Sequence, residues 1–522
     1  MGGKPIKNRL YATVYAVFVL LVAFPVVYTF GSALFTGGSL SDNLQQLNGS
    51  VFLLLGKSIV IAFSIAVLST LSGTVLGFFL YKTDIRFRNF FKISLLIPLF
   101  ISPYILAVAW KDFFFLLSGN TTLISSYTGL ILVLTSVFTP LSMLITGSAF
   151  VNINSRLEES GLMITGFRNV IFKITLPLIK PALITSFVLV FIFSISDFSV
   201  PAFFGVKVFT TEIFTRFSAF YNHSLAVLQS ALLIIICILL LLSERKYIAD
   251  APFLSVSSKG TDSKHYKLKR QFLSLLFLSG WLFISVILPF IILFMQSFKE
   301  GTTSFSQAFE LLLPTFGNSV ALAFSGALII VFIGFVAAYN SVRYRTTSAK
   351  SFEWLLLIIF AIPSTIFGIS LITFYNQPGL DIIYSGYIII LIGYLGKFAF
   401  ISAKLIENAI RQIPASLDEA ARIEGIKTFT RLRKILIPLI MPSLFAAFIV
   451  SFIFSLGELG TTIMVYPPGT EIMPVKVYTI MANAPQSLTS SMTLIVFLLT
   501  LLMISGFYFI AKPVIKKYGY IK

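Results

Sequence analysis

The chain has 522 residues, 57% of them hydrophobic and only 11% charged, with a mean hydropathy of +0.95. Soluble domains carry about a quarter charged residues, so an aqueous globular fold is excluded and an integral membrane protein is expected. A single cysteine, Cys237, and two histidines, His223 and His265, exclude disulfides and cysteine- or histidine-rich metal sites. The net charge of +19 could suggest a nucleic-acid partner, but its distribution along the chain excludes that.

Repeated apolar runs of near-membrane length, carrying most of the 56 phenylalanines, read as helices rather than a barrel. Twelve spans are expected, at 10–34, 58–81, 91–117, 128–150, 176–196, 225–242, 271–297, 317–342, 352–375, 385–406, 437–457 and 491–511. Lys4, Lys7 and Arg9 precede the first run as they would in a signal peptide. That run is too long and lacks a small-x-small cleavage site, so it is expected to stay as the first span. With the N-terminus inside, the cytoplasmic segments hold 31 of the 39 Lys and Arg, and the outer segments hold five. This is the positive-inside pattern, and it predicts cytoplasmic N- and C-termini.

The chain repeats itself at an offset of 261 residues, half its length. Gly56–Ser64, GKSIVIAFS, matches Gly317–Ser325, GNSVALAFS, and Pro177 and Pro181 match Pro438 and Pro442. The expected organisation is a first repeat of six spans at 1–242, a polar, basic cytoplasmic linker at 243–270, and a second repeat of six spans at 271–522. An even number of spans per repeat gives both the same orientation, with a pseudo-twofold axis along the membrane normal.

Between the fourth and fifth spans of each half lies a polar, basic stretch: Ser155–Leu183, SRLEESGLMITGFRNVIFKITLPLIKPAL, and Ser416–Leu444, SLDEAARIEGIKTFTRLRKILIPLIMPSL. In the second, Glu419-Ala420-Ala421 is followed by Gly425 and then by Pro438. Alanines let a neighbouring backbone approach, glycine turns the chain between two short helices, and proline suits a first helical turn. This segment resembles the EAA loop of bacterial ABC importer permeases. The first copy departs from that pattern, with Glu158-Glu159-Ser160-Gly161, Gly166 and Pro177, and is one residue shorter between the glutamate and the proline. The wider chain also resembles the fused permeases of ferric-iron import systems, through SDFSVPAFFG, TTEIFTRF and GELGTTIMVYPPG. Permeases for thiamine, phosphonates, polyamines and oxyanions have comparable stretches. The resemblance implies an all-α membrane fold of two tandem six-helix repeats, each with a cytoplasmic coupling loop. It further implies two copies of a separate ABC ATPase, which uses the ATP, and an extracytoplasmic substrate-binding protein. The chain itself is then expected to bind no cofactor and to catalyse no bond change.

Gly56-Lys57-Ser58 imitates the end of a phosphate loop, but Val51 stands where its first glycine is required. Asp197 and Glu458 occupy matching positions at the outer ends of the fifth spans. They either cap backbone or, with Glu212 and Glu471 in the following outer loops, line the substrate path as transit ligands for a hard cation. Trp110-Lys111-Asp112 in the third span is expected to hold a local ion pair. A secondary transporter of six plus six spans tends to need ionisable residues deep in the bilayer, and here most acids fall in loops or at span ends; a membrane enzyme would need a cluster of His, Asp or Glu at membrane depth, and none is found.

Overall fold

A backbone in lipid must close its own hydrogen bonds, and this chain does so with helices. The computed structural model describes residues 8–36, 47–243, 266–267, 271–344, 346–481 and 483–518. Among them the only strand-like pairing is an isolated bridge between Thr83 and Tyr266. The first half contains α1 (Leu10–Ser32), α2 (Gly49–Lys82), the bent pair α3 (Arg88–Phe100) and α4 (Pro103–Ser118), and α5 (Tyr127–Val151). The short α6 (Ser155–Thr165) leads into a second bent pair, α7 (Phe167–Leu178) and α8 (Lys180–Ser196). It closes with α9 (Ser199–Phe204), α10 (Phe209–Ser218) and α11 (His223–Leu242).

The second half runs through α12 (Phe272–Ser297), α13 (Thr303–Arg343), the bent pair α14 (Thr347–Ala361) and α15 (Ser364–Tyr375), and α16 (Ile388–Arg411). The short α17 (Ala415–Ile423) precedes α18 (Thr428–Gly457), α19 (Thr462–Val465), α20 (Met473–Met481) and α21 (Gln486–Phe507). Among the described residues, nine helices are long and apolar enough to cross a membrane, and the three bent pairs raise this to twelve if each is one span. Every expected span overlaps one of these helices or pairs. Of the expected linker at 243–270, only Ser243, Tyr266 and Lys267 lie within the described residues, and Lys4 and Lys7 lie outside them.

Proline sets the local irregularities. Pro25, Pro177, Pro289 and Pro438 are each preceded by a five-residue π turn, at Val19–Ala23, Ile171–Thr175, Phe283–Ile287 and Leu432–Leu436. A proline has no N–H for the carbonyl four residues back, and here that carbonyl is the middle of the π turn each time. At Leu21 the freed carbonyl accepts the Tyr375 hydroxyl at 2.9 Å. The breaks before Pro103 and after Pro363 bend their pairs by 95° and 105°. At the second break the buried Lys397 ammonium donates to the carbonyls of Phe360 (3.3 Å) and Ile362 (2.7 Å).

Helix pairing relies on small residues, as expected where lipid offers no hydrophobic drive. A Cβ on Gly73 would stand 2.8 Å from the Met143 nitrogen on α5, and one on Gly334 would stand 2.9 Å from the Ala403 nitrogen on α16. The two glycines are 261 residues apart, so the repeat preserves a backbone-to-backbone approach.

The compact units of the fold are not the sequence halves. One comprises Met1–Gly37, Leu312–Lys476 and Leu498–Lys522, and the other Gly38–Leu311 and Val477–Phe497. In the first unit, α1 packs along α14 and α15: Phe18 meets Phe352 edge-on at 5.5 Å, and Tyr11 donates to the Ser348 carbonyl at 2.8 Å. In the second, Leu278 and Leu282 of α12 share a core with Leu76, Leu80, Phe91, Leu95 and Met143. Each half's first span is thus built into the unit holding most of the other half.

Candidate functional site

The two EAA-like stretches fold alike, as a short surface helix, a turn, and a second helix that enters the membrane through a π turn. In the first, the Asn154 side chain caps α6 by accepting from the Arg156 N–H at 3.0 Å. Gly166 alone joins α6 to α7, at φ +78°. In the second, the turn between α17 and α18 takes four residues, Glu424 to Lys427, with Gly425 at φ +72°. A left-handed backbone costs an ordinary residue roughly 1–2 kcal/mol, which is why glycine holds both corners.

Position along the helix places the one-residue shortening of the first copy after its glutamate. Glu159 and Glu419 are each the fifth residue of their short helix, so Glu159, not Glu158, corresponds to Glu419. The same register pairs Gly161 with Ala421. Both lie buried toward the following turn, and a Cβ on Gly161 would meet Ile174 Cδ1 at 2.5 Å. Glu419 and Ala420 are exposed, whereas Glu158 points inward. Its carboxylate pairs with Lys82 Nζ at 2.6 Å and accepts from Thr175 Oγ1 at 2.9 Å, with both charged side chains buried. Pro177 and Pro438 each sit second in the helical turn after the π turn. The far ends of the short helices present unpaired apolar surface: Met163 and Ile164 on α6, and Ile423 on α17 with Phe429 beyond it.

The acids at the opposite end of α8 and α18 have structural partners. Asp197 accepts from the Val200 N–H and the Ser199 hydroxyl, both at 3.0 Å, and so caps α9. Glu458 accepts from the N–H groups of Thr461 (2.6 Å) and Thr462 (2.9 Å) and from the Thr462 hydroxyl (2.5 Å), and so caps α19. Of the two openings left by the sequence, backbone capping is the one the geometry displays. Glu212 pairs with Arg216 at 2.7 Å, and Glu471 with Lys476 at 2.8 Å. The expected ion pair within Trp110-Lys111-Asp112 is replaced by longer-range partners. Asp112 accepts from Gln486 and Ser490, while the Lys111 ammonium lies 4.8 Å from the centre of the Phe203 ring.

Two serines missed in the sequence reading complete this end. Ser58 Oγ accepts the Phe209 N–H at 2.9 Å, at the start of α10, and Ser319 Oγ accepts the Met473 N–H at 2.8 Å, at the start of α20. They belong to the matching GKSIVIAFS and GNSVALAFS segments, so the repeat itself was the available signal.

Two helical repeats in one polypeptide, each with a surface helix pair between membrane helices and each capped alike at the far end, define a duplicated membrane permease. Residues 69–249 and 330–516 both match the family described as binding-protein-dependent transport system inner membrane component, and the chain belongs to that family. It is similar to the Fe(3+)-transport system permease protein FbpB 2 of Haemophilus influenzae, 25% identical over 75% of this chain and 77% of that one. It is also similar to the ferric transport system permease protein FbpB of Actinobacillus pleuropneumoniae, 23% identical over 90% of this chain and 73% of that one. A shorter match, 28% identical over 37% of this chain and 73% of its own, is to a putative 2-aminoethylphosphonate transport system permease protein, PhnV, of Salmonella typhimurium.

Proposed function

We propose that the chain is the membrane-spanning subunit of an ATP-driven importer, translocating ferric iron received from an extracytoplasmic binding protein. One polypeptide supplies both halves, 1–242 and 271–522, and α6 and α17 are coupling helices, each docked by one copy of an ABC ATPase on the cytoplasmic side. The observation that carries this reading is the pair of matched surface helices. Both offer an apolar tip, Met163–Ile164 and Ile423–Phe429, beside a small buried residue, Gly161 or Ala421. A groove on a partner can take such a tip, and the glycine corner holds the short helix at an angle to the span it drives. ATP-driven closure of the partner would then move the two helices and switch access from one side to the other.

Ionisable groups at membrane depth do not favour a coupled secondary transporter. Lys397 serves helix carbonyls, and Asp112 serves Gln486 and Ser490. Iron is favoured as cargo because the ferric permeases match 75% and 90% of the chain, whereas the phosphonate permease matches 37% of it. With Asp197 and Glu458 engaged as caps, we assign them to shaping the turns at the far end rather than to ligating the ion in transit. The test is purification of the chain with its cognate ATPase, followed by uptake of ferric iron into vesicles. Loss of uptake in Glu419→Lys with the chain still in the membrane supports the reading. Undiminished uptake, or failure of any ATPase to associate, overturns it.

A further inference from the structure

The central linker enters the structure at one described point, and it enters beside α6. Tyr266 runs parallel to the end of α2: its N–H donates to the Lys82 carbonyl at 2.7 Å, and its carbonyl accepts the Asp84 N–H at 3.2 Å. Its ring stacks against Phe78 of α2 at 6.3 Å and meets Phe167 of α7 edge-on at 5.2 Å. The hydroxyl is buried near Glu158 and Thr175 and makes no hydrogen bond of its own among the described residues. Burial, and then the Glu158 charge, raise the phenol well above its ordinary range, so it stays neutral. Beneath it lies the buried Lys82–Glu158 pair. Just after it, the Gln271 amide donates to the Asp84 carbonyl at 3.3 Å.

The repeat-related positions of the second half are built differently. Arg343 stands at the position of Lys82 and donates to the Ile413 carbonyl at 3.4 Å. Leu436 replaces Thr175. The buried clasp is thus a feature of the first helix pair, where the linker returns to the fold.

We propose that Tyr266 is a positioning residue: the linker lays it as a strap over the Lys82–Glu158 pair, so that α6 and α7 move as one body with α2. The linker is then a working part of the first half rather than a passive tether. Its mechanical consequence rests on α6 being an ATPase-docking helix, while the strap itself does not.

The experiment uses the full chain in lipid nanodiscs and reads hydrogen exchange in wild type, Tyr266→Ala and Tyr266→Phe. Without ATPase, Tyr266→Ala should speed exchange in α6 at least tenfold and leave α17 unchanged. Tyr266→Phe, which keeps the ring and the backbone bridge and removes only an unbonded hydroxyl, should exchange like wild type. Equal exchange in α6 of wild type and Tyr266→Ala overturns the strap. With the cognate ATPase bound to a non-hydrolysable ATP analogue, wild type should change protection in α6 and in the last turns of α2 together. In Tyr266→Ala the change should stop at α6. A change that reaches α2 undiminished in Tyr266→Ala overturns the positioning role. If no ATPase binds the wild-type chain, the importer reading fails, and the arm without ATPase still decides the strap.

Discussion

Lys82→Met leaves the Glu158 carboxylate, 3% exposed, without its counter-charge. Removing one member of a buried ion pair costs about 3–5 kcal/mol, because the survivor keeps its desolvation penalty. Thr175 returns one charge-assisted hydrogen bond, so the lower end of that range is the sounder expectation. Glu158→Gln should cost a similar amount by stranding the Lys82 ammonium, which is fully buried. The double variant Lys82→Met/Glu158→Gln removes both charges and keeps an acceptor for Thr175, so most of the loss should return. A coupling energy of about 2 kcal/mol or more is therefore expected between the two sites. The natural control is Glu212–Arg216, a partly exposed pair one helical turn apart, whose rupture should cost only about 0.3–0.5 kcal/mol. Thermal unfolding of the detergent-solubilised chain, followed by size-exclusion profile, ranks wild type, the three clasp variants and Arg216→Met. If Lys82→Met is no less stable than Arg216→Met, or the double variant is worse than both singles, the clasp is not the anchor described.

Four further expectations follow from the same geometry. Gly73→Val and Gly334→Val should each lower the yield of folded protein, by overpacking worth about 1–3 kcal/mol, because the added atoms meet backbone on α5 and α16. Gly56→Val, with open space at its Cβ, is the control, and comparable yields of all three would refute the close approach. Glu419→Lys should abolish ATPase stimulation while leaving the thermal profile nearly unchanged, since Glu419 is exposed, whereas Gly425→Asp should abolish it at an added cost of about 1–2 kcal/mol for the left-handed corner; a collapsed profile in Glu419→Lys would point to folding instead. In a Cys237→Ser background, cysteines replacing Ser258 and Phe220 should be labelled from opposite faces, Ser258 from the cytoplasm; labelling from one face would refute the charge-based orientation. Asp197→Asn/Glu458→Gln keeps an acceptor at both caps and should retain most uptake, whereas Asp197→Ala/Glu458→Ala should lose folded protein through the caps, each worth about 1 kcal/mol. A severe uptake defect in the Asn/Gln variant with normal stability would return the two acids to the substrate path.

Hydrophobic runs fix where a chain enters lipid, so each expected span falls on a helix or a bent pair. Their ends were less legible: α2 begins at Gly49 and α13 at Thr303, well before the expected starts at 58 and 317, because mixed polar and apolar turns continue each helix N-terminally. The first EAA-like stretch was legible as one residue shorter than the second, but not where that residue is lost. An offset measured between prolines ignores that one loop turns on Gly166 alone while the other spends four residues. Carboxylate roles were half legible: Asp197 and Glu458 matched across the repeat, but only coordinates separate a cap from a ligand. Lys82 and Tyr266 carried no local pattern at all, since their partnership joins residues distant in sequence.

The placement of α1 has a consequence for how the protein is made. Its partners emerge late: Tyr11 finds the Ser348 carbonyl 337 residues on, and Leu21 finds the Tyr375 hydroxyl 354 residues on. At about 5–20 residues per second, α1 waits on the order of 20–70 s after leaving the ribosome before its binding surface exists. Two separate chains would meet only by diffusion in the bilayer, with each first helix exposed to the wrong neighbour. Fusion turns that encounter into an intramolecular search and supplies the two halves in equal number at every ribosome. An orphaned half would lack a helix its fold depends on, which would mark it for degradation rather than for a leaky pore.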